Sequence, residues 1–175
     1  ADIRFIGGKA AHFGFLRRTL PDESPHPALA ITFDLWDSFL SQQVSPGMSL
    51  GQFIQSKLAD HTYPPNVPAL RSDLDAIRSA IQNTADFTPE QRAIITASLQ
   101  SAGLTGANIR FRSSTNVEDA ENFSGAGLYD SFSGCLEDDL DGDTAGPSWC
   151  DPTEAKERGV FRAIRKVYAS FYNEN

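Results

Sequence analysis

Histidine and cysteine are scarce in this chain of 175 residues, which has three histidines (His12, His26, His61) without ligand spacing and two cysteines (Cys135, Cys150). A structural zinc site is thereby excluded. Basic residues are also few, 15 against 23 acidic ones, giving a formal net charge of −8 and a pI near 4.8. So acidic a chain offers no broad cationic surface, and nucleic acid is not expected as a partner. No apolar run approaches the roughly 18 residues of a membrane span, and the first residues lack the charged-then-apolar pattern of a secretion signal. No membrane association is therefore expected, and the expected location is cytoplasmic. Cys135 and Cys150 flank the acidic loop and are able to pair, but in that reducing compartment free thiols are the expected state. Internal repeats and low-complexity tracts are absent as well.

The composition that remains, 40% hydrophobic and 22% charged, is enough to bury a core. After Ile3 to Ile6 and Gly7-Gly8-Lys9, apolar residues Ala10, Phe13, Leu16 and Leu20 recur at helical spacing. Lys9 is thus placed at a helix start, where unpaired N–H groups and the dipole favour phosphate. The loop is not a Walker A motif, since Ala10 stands where a hydroxyl should follow the lysine, and a plain surface lysine is the alternative. Pro21 to Pro27 reads as a linker, Ala28 to Thr32 as a short buried strand, and Phe33 to Leu40 as a helical turn or two.

Further helices are predicted from Met48 to Leu58, with Leu50, Phe53, Ile54 and Leu58 on one face, and from Pro68, with Leu70, Leu74, Ile77 and Ile81. Thr88, Pro89 and Gln91 form a capping signature for another, which Gly103 should stop. Arg92 on it reads as a solvated charge. Asp151, Pro152 and Glu154 predict the start of a last helix carrying Val160, Phe161, Ile164, Val167, Tyr168 and Phe171, with Arg162, Arg165 and Lys166 as a solvated basic strip. The run Glu137 to Asp143 superficially resembles a calcium loop, but its twelfth position is Ser148, so a solvated acidic loop is expected instead. Five or six helices with few strands give an α+β, or mixed α/β, class.

The richest stretch is Asn108 to Ser131. Ile109 and Phe111 alternate with Arg110 and Arg112, so a strand would project both guanidinium groups from one face. Ser113, Ser114, Glu118 and Asp119 follow, then the turn Gly125-Ala126-Gly127 and a second apolar run, Leu128 to Leu136. Arginines beside a glycine loop suit a polyphosphate, which accepts planar charged donors and backbone N–H groups. An exposed hairpin with solvated charges is the alternative reading.

Two features together, Gly7-Gly8-Lys9-Ala10-Ala11 and Ile109-Arg110-Phe111-Arg112-Ser113-Ser114 with Glu118-Asp119 and Phe123-Ser124-Gly125-Ala126-Gly127, resemble the N-terminal nucleotide-binding domain of phosphoenolpyruvate synthase and pyruvate phosphate dikinase. The run Gly125 to Ser131 also resembles alpha-glucan water dikinases. The resemblance implies that residues 1–175 form a single domain, the N-terminal part of an ATP-grasp-like nucleotide-binding domain with several helices and a small sheet. It implies that Lys9 and Arg112 contact the ATP phosphates, that Ser124, Gly125, Ala126 and Gly127 fold over them, and that Glu118 and Asp119 organise the loop and its arginine.

The implied reaction passes phosphate from ATP through a phosphohistidine on another domain to pyruvate or another acceptor such as a glucan. The Mg²⁺ ligands and the phosphocarrier histidine are expected outside these residues, so this part alone is expected to be catalytically silent. A non-catalytic nucleotide-binding or interaction module is the competing expectation. Where the family commonly has asparagine after Lys-Ala-Ala, this chain has His12.

Overall fold

The architecture comes from a computed structural model, which describes residues 3–21, 26–116, 119–120, 123–124 and 127–174, with 119–120 and 123–124 described as backbone. Among them are six α-helices: α1 (Ile3–Thr19), α2 (Phe33–Leu40), α3 (Leu50–Leu58), α4 (Val67–Ser79), α5 (Pro89–Ser101) and α6 (Val160–Ser170). The strands form three two-stranded antiparallel ladders. In these, β1 (Gln43–Ser45) pairs with β2 (Met48–Ser49), β3 (Ile109–Phe111) with β6 (Phe132–Gly134), and β4 (Asp119–Ala120) with β5 (Phe123–Ser124). The class is mixed α/β, as the sequence predicts.

Local signals set the starts of the middle helices. Ser49 and Gln52 exchange hydrogen bonds as a capping box at α3, and Thr88 and Gln91 do the same at α5, where Pro89 supplies a fixed φ in the first turn. Gly103, with φ +70, ends α5 as expected. Met48 belongs to β2, so α3 begins two residues later than the sequence suggests. After α4 the chain widens into a π-helical turn, Ala80–Thr84, which carries Ile81 into the core.

The core gathers on α6, whose Val160, Phe161, Ala163, Ile164, Val167, Tyr168 and Ala169 are all buried. Phe39 of α2, Leu50 of α3, Ile77 of α4, Ile81 and Leu136 pack with that face and are completely excluded from water. Burying each such side chain contributes about 1.5–3 kcal/mol. Trp36, Phe39, Phe87 and Tyr168 add tilted and stacked ring contacts, with centroids 4.6–6.4 Å apart.

Several expectations fail for reasons of long-range structure. The expected strand Ala28 to Thr32 does not form, and the segment lies exposed, with Leu29 and Ile31 facing solvent. Asp151, Pro152 and Glu154 form turns instead of a helix start, and α6 begins at Val160. Its first N–H is received by the Asp139 carboxylate, 2.5 Å away and 21 residues earlier in the chain. Gly159 is required there, because a Cβ would lie 2.3 Å from the same carboxylate. Asp138 is buried too and accepts the N–H groups of Trp149 and Arg158 at 2.8 and 2.7 Å. These acids organise the loop from inside and are not a solvated run.

Arg92 is likewise engaged, since one guanidinium nitrogen reaches both Asp86 oxygens at 2.7 Å and the group stacks 4.3 Å over Phe161. Arg165 donates to the Ala85 carbonyl, and Lys166 lies 5.1 Å over the Phe132 ring, so only Arg162 of the basic strip stands exposed. Cys135 and Cys150 form a disulfide rather than the two free thiols expected. It closes the loop between β6 and α6 over a separation of 15 residues.

Candidate functional site

The site begins with a glycine. Gly7 interrupts α1 at φ 76°, ψ 171°, a conformation that side chains beyond hydrogen resist. A Cβ at Gly7 would also lie 2.1 Å from the Ser114 carbonyl oxygen. Both the torsion and the close approach demand glycine. Around that break the Gly8 N–H donates to the Thr115 carbonyl at 3.0 Å, and the Ala10 N–H donates to Ser114 Oγ at 2.9 Å. Ser114 Oγ in turn donates to the Ile6 carbonyl at 2.7 Å.

The two motifs that carry the family resemblance, about a hundred residues apart in sequence, are thus in direct contact. Lys9 stands exposed between Gly8 and Ala10, and Arg112 is exposed just after β3, two residues ahead of Ser114. One expectation is corrected: the Gly8 and Ala10 N–H groups are taken up by Thr115 and Ser114, so they are not offered to an anion. Lys9 and Arg112 are both exposed residues at this junction, and Lys9 stands near the start of its helical segment. Arg110 is exposed on the β3–β6 ladder, where it donates across to Ser133 Oγ at 3.3 Å.

The polar loop between β3 and β6 folds back as the β4–β5 pair, in which Asp119 and Ser124 are register partners. Glu118, Gly125 and Ala126 lie outside the described residues. Gly127 is exposed with φ +84, a left-handed conformation consistent with a glycine turn. The closing run expected from Leu128 to Leu136 is a strand only at Phe132–Gly134.

A second charged grouping was not legible in the sequence. Asp141, Asp143 and Glu157 bring carboxylate oxygens within 4.8 Å of one another, whereas the calcium-like set Glu137, Asp139 and Asp141 does not assemble, since Asp139 caps α6. A hydrogen bond that the protonated Glu157 carboxyl donates to Asp143, then burial and neighbouring acids, pushes Glu157 up to about 7. Asp143 is held below the usual carboxylate range, first by the N–H of Ala145. Burial raises Asp139 to about 6 despite the N–H groups it receives. Glu157 is 14 residues beyond Asp143, and no spacing rule would have found it. Among the described residues this is the one group of three acids able to meet at a cation, and it belongs to the loop before α6 and not to the Lys9–Arg112 junction.

A comparison with known families shows what the chain as a whole belongs to. The family model of the pyruvate phosphate dikinase AMP/ATP-binding domain matches residues 3–175. The chain belongs to that family. It is an ATP-binding domain of the pyruvate phosphate dikinase type, and both motifs joined at Gly7 and Ser114 fall within the matched residues. No curated protein matches the chain. Among the described residues of this pyruvate phosphate dikinase-type domain, no helix is long and apolar enough to cross a membrane.

Proposed function

We propose that the chain holds the phosphates of ATP at the Lys9–Arg112 junction, as the ATP-binding part of a phosphotransferase that passes phosphate through a histidine on another domain to pyruvate. The observation that carries this reading is the contact between the Gly7–Ala10 and Ser113–Thr115 segments, which sets two exposed cations on either side of one backbone junction. Phosphoryl transfer asks for placement and charge neutralisation more than for covalent chemistry, and a lysine with an arginine supplies both.

Arg112 offers planar donors matched to phosphate oxygens, and Lys9 offers a compact charge from the start of its helix. The loop Ser124, Gly125, Ala126 and Gly127 would close over the phosphates, with Glu118 and Asp119 organising it. Mg²⁺ would arrive with the nucleotide and neutralise its phosphates. The three-acid group Asp141, Asp143 and Glu157 sits on a different loop, so no described residue is assigned to that ion.

Titration calorimetry of the protein with ATP and Mg²⁺ tests the reading. Lys9→Ala and Arg112→Ala should each weaken binding roughly 10- to 100-fold, the range expected for a hydrogen bond to a charged group. Unchanged affinity in both variants would sink the assignment.

A further inference from the structure

The junction poses a question of placement. Lys9 and Arg112 belong to segments about a hundred residues apart, yet a phosphate must find both at fixed separation. Helix α1 cannot supply that placement through packing, because Phe13, Leu16 and Leu20 on its apolar face remain exposed by 37–47%. Its direction at Lys9 must be set elsewhere.

Ser114 meets the requirement. Its hydroxyl donates to the Ile6 carbonyl before the Gly7 break and accepts from the Ala10 N–H after it, at 2.7 and 2.9 Å. One hydroxyl therefore ties both halves of the broken helix, with Lys9 one residue ahead of the amide it accepts. Ser114 also lies two residues after Arg112, about 7 Å of extended chain. The Gly8 N–H bond to Thr115 and the 2.1 Å separation that a Cβ on Gly7 would have from Ser114 leave little freedom to rotate about the junction.

We propose that Ser114 is a positioning residue: it touches no phosphate itself but fixes the direction in which Lys9 leaves its helix relative to Arg112. The inference rests on the reading of Lys9 and Arg112 as phosphate ligands. A hydroxyl is needed at this position because one atom must donate to a carbonyl and accept from an amide, which alanine cannot do and threonine can.

The test is a double-mutant cycle on ATP affinity, read by titration calorimetry in the protein with Mg²⁺. Ser114→Ala should weaken ATP binding roughly tenfold in the wild-type background, the size of one lost hydrogen bond. In a Lys9→Ala background the same substitution should change affinity less than twofold, because the group it positions is gone. Ser114→Thr, which keeps the hydroxyl, should bind ATP within about threefold of wild type and guards against a folding artefact. Amide hydrogen exchange at Ala10 should accelerate in Ser114→Ala and not in Ser114→Thr.

Additive losses from Ser114→Ala and Lys9→Ala would overturn the positioning role while leaving Lys9 as a ligand. Indifference of ATP affinity to Lys9→Ala would remove the nucleotide reading, and the role of Ser114 toward phosphate with it.

Discussion

The two ends of the chain hold their helices by different means. Helix α6 buries almost a whole face among α2, α4, the π-helical turn and the β3–β6 ladder. Helix α1 leaves Phe13, Phe15, Leu16 and Leu20 exposed, and among the described residues its Gly7–Ala10 segment is tied down by hydrogen bonds to Ser114 and Thr115. Stability is concentrated where the apolar surface is removed from water, and the candidate phosphate site is concentrated where it is not. A few directional bonds fix geometry at little cost to adaptability, whereas a packed core fixes the fold.

The strongest challenge to this contrast is a pair of truncations measured by urea denaturation. Ile81→Ala, at a completely buried position, should cost about 2–5 kcal/mol. Phe13→Ala should stay within about 0.5 kcal/mol. Equal costs would mean that the exposed face of α1 is as buried as the core, and the contrast would fall.

The disulfide sharpens it further. Replacing Cys135 and Cys150 together by alanine should lower stability by about 3 kcal/mol, the loop-closure value for their separation of 15 residues. Hydrogen exchange at Ala10 should be unmoved, because the disulfide constrains the approach to α6 and not the Gly7 junction.

The smallest effect concerns pH. Glu157 is pushed from 4.5 up to about 7, so its protonated form is favoured by the fold. Its contribution is fully present below about pH 4.5 and is lost as pH rises through about 7. Glu157→Gln should therefore flatten the upper part of a plot of Tm against pH. The slope that remains between about pH 4 and 6 belongs to Asp139, raised from 3.8 to about 6 by burial, whose ionisation as pH rises through that window costs the fold stability. An unchanged plot in Glu157→Gln would show that the carboxyl pair does not form.

What was legible in the sequence was mostly local. The cap at Thr88 and the stop at Gly103 depend on neighbours three or four residues away, and the apolar face of α6 repeats at helical spacing. The start of α6 was misread because Asp151, Pro152 and Glu154 form a good local signal that lost to a remote one, the carboxylate of Asp139. Arg92 and Arg165 looked solvated because Asp86 and the Ala85 carbonyl are far from them in sequence or on another element. The segment Ala28 to Thr32 has strand composition but no strand edge to join.

At the site, Lys9 and Arg112 were named from family resemblance and from their charge. The part of Ser114 in the contact was invisible, since a serine after an arginine says nothing about a helix break a hundred residues upstream.

The Gly7–Ser114 junction has a consequence for synthesis. A ribosome adding about 5–20 residues per second must work for on the order of ten seconds after Gly-Gly-Lys emerges before Ser114 exists to receive it. During that interval the break at Gly7 has no hydroxyl to bridge its two sides. The Lys9–Arg112 junction therefore cannot form until Ser114 has been made, and it can form before the core does, because α6 is synthesised later still.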